Sequence, residues 1–123
     1  MLAVDRNNRK VATLYEPLHP AVLRAIAQTA RAARKAGKPL SICGEMASDP
    51  VCALVLIGLG IDQLSMGSFY IPSIKRLVRS VEYATAKEMA RKVLEMTSAR
   101  DVKGYLFGMM RRLGVIELME LYH

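Results

Sequence analysis

The amino-acid sequence predicts an α/β fold, because two short apolar runs alternate with segments that have the pattern of helices. The runs are residues 40–43 and residues 63–66, and both are too short to be helices. Strands that are separated by helices pair in parallel through crossover connections. A parallel sheet must be covered on both faces, and two strands are too few to form one on their own. We therefore predict that the chain is part of a larger α/β fold.

Two helices are predicted around the first apolar run. The first covers residues 21–36, with Pro20 at its first position and Gly37 just past its end, which is the usual placement of these residues at helix termini. The second starts at the Asp-Pro pair of residues 49–50 and extends for about two turns. The glycines within residues 58–60 end it.

Three further helices are predicted after the second apolar run. The first covers residues 72–80 and has a proline at its start. Residues 85–88 have the spacing of a capping box in front of a helix over residues 89–96. The last helix covers residues 99–113, with Ser98 as its cap.

Composition limits the class of protein. The chain has 123 residues, of which 52% are hydrophobic and 24% charged, as is ordinary for one globular domain. The longest uncharged apolar run, residues 51–61, is too short to cross a bilayer. The amino-terminal residues do not have the pattern of a signal peptide, so we expect no membrane association. The net charge of +7 favours an anionic partner without identifying it.

The two cysteines, Cys43 and Cys52, have a spacing that indicates neither a disulfide framework nor a metal site. We therefore predict no metal site in this chain, and a reducing cytoplasm as its location. Cys52 lies in an apolar helix and is predicted to belong to the core. Cys43 allows two interpretations: a small buried residue, since free cysteines are among the most buried residue types, or a reactive group.

Five motifs occur in an order and spacing that resemble one known family. They are AVDRNN (residues 3–8), LHPAVL (18–23), CGEMASDP (43–50), LIGLG (56–60) and LSM (64–66). Together they resemble the C-terminal end of phosphoenolpyruvate-protein phosphotransferase, enzyme I of the bacterial phosphotransferase system. The resemblance extends from Leu2 to about Glu95 and is less specific beyond it.

Within this family, the motif AVDRNN is more similar to the nitrogen-regulation paralogue than to the sugar-transport enzyme, which more often reads AVDRGN. The related pyruvate phosphate dikinases usually carry CGEHGGDP, from which residues 46–48 of this chain differ. The resemblance therefore implies the nitrogen-regulation branch of enzyme I.

The resemblance implies that the chain is the C-terminal part of a (β/α)8 barrel that binds phosphoenolpyruvate (PEP), with the active site at the carboxyl ends of the strands. On that mapping, residues 40–43 would be the seventh strand and residues 63–66 the eighth. A complete barrel takes about 250 residues. Residues 1–123 are therefore expected to form one partial domain that begins after the sixth strand, with Met1 as an internal methionine.

The resemblance also implies a catalytic role for Cys43. The full enzyme moves the phosphoryl group of PEP to a histidine of its own N-terminal domain and leaves the enolate of pyruvate. Carbon 3 of that enolate must take up a proton, which requires a positioned acid. The family assigns this role to the cysteine of CGE, here Cys43, and a thiol that lies near cations can exchange its proton close to neutral pH.

Three other residues have implied roles. Arg6 matches an arginine of the family that binds PEP, and a guanidinium group suits a ligand that carries both phosphate and carboxylate. Gly44 would let the backbone approach the ligand, because it has no side chain. Glu45 is either a supporting partner of the site or a turn residue.

Other expectations concern parts of the enzyme outside this chain. The ligands of Mg²⁺ and the phosphoryl-accepting histidine are expected upstream, and neither His19 nor His123 matches that histidine. The isolated chain is therefore expected to be inactive. The implied partners are PEP, an HPr-like phosphocarrier protein that is reached through the N-terminal domain, and a second copy in a homodimer.

Two other functions were considered beside the phosphotransferase, and the first of them stays open as an alternative. A non-catalytic module for dimerisation or assembly would account for the apolar tail at residues 115–122. The basic residues within 75–79 would suit nucleic acid, but no nucleic-acid-binding motif accompanies them. We therefore expect a solvated helix face there and no nucleic-acid partner.

Overall fold

A computed structural model describes residues 16–117 of the chain. These residues form six helices and a sheet of two strands. In chain order the elements are α1 (Pro20–Lys35), β1 (Ser41–Cys43), α2 (Glu45–Ser48), α3 (Pro50–Gly58), β2 (Gln63–Ser65), a 3₁₀ turn (Ser68–Tyr70), α4 (Ile71–Arg79), α5 (Tyr83–Leu94) and α6 (Ala99–Arg112). None of the helices within the described residues is both long and apolar enough to cross a membrane.

The two strands pair in parallel, with Cys43 opposite Ser65 at their carboxyl ends. At the amino ends, Leu40 and Asp62 hold the strands together. The backbone amide of Leu40 donates to the carboxylate of Asp62 at 2.9 Å, and the backbone carbonyl of Leu40 accepts from the amide of Asp62 at 3.0 Å. Because α2 and α3 connect the strands, the unit is a parallel βαβ crossover. The α/β prediction is confirmed.

Three predicted helix starts have side-chain caps. Asp49 accepts hydrogen bonds from two amides in the first turn of α3, at 2.9 and 3.3 Å. The hydroxyl of Ser98 accepts from the amide of Asp101 at 3.1 Å at the start of α6. At the start of α1, Nδ1 of His19 accepts from the amide of Ala21 at 3.1 Å. These bonds satisfy amide groups that have no partner inside the helix.

Two features differ from the predictions. The prediction of a capping box at residues 85–88 is wrong, because α5 already begins at Tyr83. Glu82, with φ −68° and ψ 143°, is the extended residue in front of it. The helix starts early because Ala86 belongs to its buried face. A helix that started at residue 89 would not include Ala86. The single turn of α2 was also missed, and it places the buried Ala47 against the core.

The core is centred on α3, whose residues 51–56 are all buried. This helix is apolar on every side, as expected for a helix that is enclosed by other elements. The largest fully buried side chains of the other helices complete the core; they are Leu23, Leu77, Met89, Val93, Val102, Leu106 and Met110. No polar or charged side chain is buried within residues 16–117. Burial of apolar surface is therefore the main stabilising interaction.

Gly58, in the LIGLG motif, allows α3 to lie directly against α5. A Cβ atom added at this position would overlap the carbonyl oxygen of Ala86 and would lie 2.9 Å from the Cβ atom of Ala90. The two helices therefore approach each other at a distance that any side chain at residue 58 would prevent.

We expect Gly58→Ala to lower the free energy of unfolding by about 1–3 kcal/mol, because the added methyl group forces α3 and α5 apart. Gly104→Ala is the matched control, since Gly104 lies within α6 and a Cβ atom added there meets nothing within 4 Å. The control should leave stability unchanged or raise it by up to about 1 kcal/mol. Urea denaturation of both variants measures the difference, and equal stability of the two would contradict the close helix contact.

Candidate active site at the carboxyl ends of the strands

The carboxyl ends of β1 and β2 meet at one edge of the sheet, here called the carboxyl edge, which comprises residues 43–49 and 65–70. Cys43 is the last residue of β1, and Ser65 is the last residue of β2 and lies opposite it. Both residues are exposed. The interpretation of Cys43 as a buried core residue is therefore wrong.

Gly44 changes the direction of the chain directly after Cys43. Its backbone has φ 94° and ψ −163°, a conformation that residues with a side chain rarely adopt. A Cβ atom added there would meet nothing within 4 Å. The glycine is therefore required by the backbone conformation and not by a lack of space, and the space beside it is open.

Glu45 follows as the first residue of α2 and is exposed. Its backbone carbonyl accepts from the hydroxyl of Ser48 at 3.2 Å and from the amide of Asp49 at 3.1 Å. These two bonds close the single turn of α2, and the carboxylate of Asp49 then starts α3. The motif CGEMASDP is therefore a strand end, a one-turn helix and a capped helix start, which together hold Cys43 at the edge.

Cys52 lies in a different environment. Its side chain is in the first turn of α3, and the residue is only 1% exposed. Burial raises the pKa of the Cys52 thiol well above its usual range, and the negative charge of Asp49 adds to this effect. The prediction that Cys52 belongs to the core is confirmed, and both cysteines are free.

Two aromatic residues beyond β2 were not predicted from the sequence motifs. Phe69 and Tyr70 lie in the 3₁₀ turn that follows the carboxyl end of this strand, and their rings meet edge to face at 5.4 Å. Phe69 is 80% exposed. A pair of adjacent aromatics after a predicted strand, in a chain with only 6% aromatic residues, was the signal that could have identified them.

The remaining predicted site residue, Arg6, lies outside the described residues. Among residues 16–117, no group of three or more His, Cys, Asp or Glu side chains is arranged to hold a metal ion. The described residues therefore do not provide a set of ligands for Mg²⁺.

In α/β proteins with parallel strands, ligands commonly bind beyond the carboxyl ends of the strands, and Cys43 lies at such an end in this chain. The chain matches the family model of the PEP-utilising enzyme, PEP-binding domain, over residues 1–83. The chain belongs to this family.

Several relatives are similar over most of the chain. A protein of Escherichia coli (strain K12) named "Phosphoenolpyruvate-dependent phosphotransferase system" is 46% identical over 115 residues, which are 94% of this chain and 15% of that protein. Its counterpart from Salmonella typhimurium is 44% identical with the same coverage. The "Phosphoenolpyruvate-protein phosphotransferase" of Haemophilus influenzae is 41% identical over 101 residues, which are 82% of this chain and 18% of that protein. The predicted relation to phosphoenolpyruvate-protein phosphotransferases is confirmed, and the chain spans less than a fifth of the length of these relatives.

In the native protein, iodoacetamide should label Cys43 and leave Cys52 unlabelled. The thiolate is the reacting species, and Cys52 is both buried and held in its protonated form. Peptide mapping by mass spectrometry, before and after unfolding in guanidinium chloride, measures the labelling of each residue. Cys43→Ser is the control and should abolish native labelling; equal native labelling of both cysteines would contradict the two environments.

Proposed function

We propose that this chain is part of a phosphoenolpyruvate-protein phosphotransferase. The enzyme transfers the phosphoryl group of PEP to a histidine of its own N-terminal domain and then to an HPr-like phosphocarrier protein, and it releases pyruvate. One observation carries the proposal: a member of the PEP-binding domain family has an exposed cysteine, Cys43, at the carboxyl end of a parallel strand. The names of the relatives support the same reaction.

Cys43 acts as the acid of this reaction. When the bond between phosphorus and the enol oxygen breaks, the phosphoryl group moves to a nitrogen of the histidine, and the electron pair of the bond stays on the oxygen as an enolate. Carbon 3 of the enolate then takes the proton of the Cys43 thiol, which forms pyruvate and a thiolate. The thiolate takes a proton from water before the next turnover.

Three residues support this step. Arg6 binds the phosphate and carboxylate of PEP through its guanidinium group. The open space beside Gly44 leaves room for the ligand close to the backbone. Glu45, exposed beside Cys43, assists the site as a supporting residue.

We further propose that residues 1–123 form the end of a (β/α)8 barrel, with β1 and β2 as its seventh and eighth strands. Within the described residues each strand has a single neighbour, so each has one open edge. Open edges of parallel strands are normally covered by further strands, which other parts of the longer protein would supply. The ligands of Mg²⁺ would also lie in those parts.

We also propose that the longer protein belongs to the nitrogen-regulation branch, is located in the cytoplasm and forms a homodimer. The motif AVDRNN, at residues 3–8, supports the nitrogen-regulation branch over the sugar-transport branch.

In the longer protein, Cys43→Ala and Cys43→Ser should each lower the rate of pyruvate formation by a factor of about 100 or more, which is the usual contribution of a positioned acid. The Michaelis constant for PEP should change little, because the thiol acts on the enolate and not on bound PEP. A coupled lactate dehydrogenase assay measures pyruvate. Ser41→Ala, at the other end of the same strand, is the matched control and should retain the parental rate. Unchanged pyruvate formation in both cysteine variants would refute the role of Cys43.

Assembly without catalysis is a second candidate function, favoured by three consecutive exposed apolar residues. Phe69, Tyr70 and Ile71 are 80%, 37% and 42% exposed and follow the carboxyl end of β2 in the chain. Large exposed apolar residues that lie together mark interaction surfaces.

If this chain is an assembly module, it should sediment as a dimer at high concentration, and Phe69→Ser should convert the dimer into a monomer. Phe107→Ser is the matched control, because Phe107 is also exposed but lies on α6. Analytical ultracentrifugation measures the association. A strict monomer at every concentration, with no binding of an apolar dye, would count against assembly.

A further inference from the structure

A groove runs between α1 and α5, here called the α1–α5 groove. It has a volume of about 460 Å³ and is bordered by Arg31 and Arg34 of α1 and by Lys87, Glu88 and Arg91 of α5. Its volume lies within the range of about 300–1,000 Å³ that is usual for small-molecule sites. Its position was not indicated by any sequence motif.

The floor of the groove is made of small residues. Gly58 at the end of α3 lines it together with Ala27 and Ala90, both of which are buried. Because Gly58 lets α3 lie directly against α5, no side chain fills the space above their contact. The groove is therefore a consequence of the packing of backbone against backbone.

The groove has a surplus of positive charge, with four cations and one carboxylate along its walls. Glu88 and Glu95 together hold Arg91, at 2.6 and 2.8 Å. The other three cations, Arg31, Arg34 and Lys87, make no ion pair with any residue in 16–117. Three positive charges therefore face one groove without a carboxylate partner among the described residues.

Arg34 is positioned by another glycine. A Cβ atom added at Gly60 would lie 2.5 Å from Nη2 of Arg34, so the guanidinium group lies where a side chain at residue 60 would be. This places it beside the carboxyl end of α3, where the helix dipole favours a cation. The absence of a side chain at residue 60 therefore leaves room for the guanidinium group of Arg34.

The groove lies away from the carboxyl edge. The chain enters α3 at Pro50, shortly after Cys43, and leaves it at Gly58, shortly before the start of β2 at Gln63. Gly58 therefore lies towards the amino ends of the strands, whereas Cys43 marks their carboxyl ends. A ligand in the groove would be separate from PEP at the candidate active site.

We propose that the α1–α5 groove binds a small ligand of the nucleoside diphosphate class. Guanidinium and ammonium groups that line one groove from two helices suit adjacent phosphate groups, which accept several charge-assisted hydrogen bonds. Tyr83, 53% exposed at the first turn of α5, lines the same groove and offers its ring for stacking of an aromatic base. Interfaces with nucleic acid bury about 600 Å² or more even for single modules, so a groove of about 460 Å³ favours a small ligand.

Isothermal titration calorimetry of the full 123-residue chain with ADP, inorganic pyrophosphate and orthophosphate tests the proposal. ADP should bind most tightly and pyrophosphate next, and both affinities should fall as salt is raised. Arg31→Gln and Lys87→Gln should each weaken binding of both ligands by about tenfold, because each removes a charged hydrogen-bond donor. Tyr83→Leu should weaken ADP binding and leave pyrophosphate binding unchanged.

Lys92→Gln is the matched control, since Lys92 is an exposed cation on α5 that does not line the groove. It should leave both affinities unchanged. Absence of saturable binding by ADP and pyrophosphate, or an equal loss in Lys92→Gln, would overturn the proposed site. Equal affinity for ADP and pyrophosphate would refute the nucleoside part, and tighter binding of a single-stranded oligonucleotide than of ADP would replace the proposal with a nucleic-acid surface. None of these outcomes bears on Cys43, so the proposed function is tested separately.

Discussion

The close contact of α3 and α5 at Gly58 is the constraint on which the rest of the structure depends. Because α3 connects β1 to β2, its position determines how the two strands reach parallel register. The helix α5 is also tied to α1 by Arg24, which donates to the backbone carbonyls of Leu94 and Met96 at 3.2 and 2.7 Å. The absence of a side chain at Gly58 therefore determines the spacing of α3 and α5, and with it the position of the helix that connects the strands.

The fold could be predicted from the sequence where local chemistry decides it. Pro20, Asp49 and Ser98 act at helix starts through bonds or backbone restrictions that involve only their immediate neighbours. The single turn of α2 and the early start of α5 could not be predicted, because they depend on burial of Ala47 and Ala86 against elements distant in the chain. Tertiary packing overrides weak local preferences at such places.

The candidate site shows the same division between local and distant causes. The motif around Cys43 identifies the residue, but its exposure follows from the parallel pairing that leaves it at the end of a strand. Free cysteines are usually buried, so residue type alone would have suggested the wrong environment. The α1–α5 groove is a stronger case, since Arg31 and Lys87 lie far apart in the chain and line the same groove only because α5 packs beside α1. No local pattern could have indicated that they share a surface.

The charges of the described residues are divided unequally between the two sites. Residues 43–49 and 65–70, which form the carboxyl edge, contain no lysine or arginine, whereas four cations line the groove. A phosphoryl group in transfer is stabilised chiefly by cations around its oxygens. The described part of the carboxyl edge offers a proton donor, Cys43, without those cations. Under the proposed function, they must therefore come from Arg6 and from the rest of the longer protein, and the isolated chain should not complete the reaction. The described residues should therefore bind an anion more strongly in the α1–α5 groove than at the carboxyl edge.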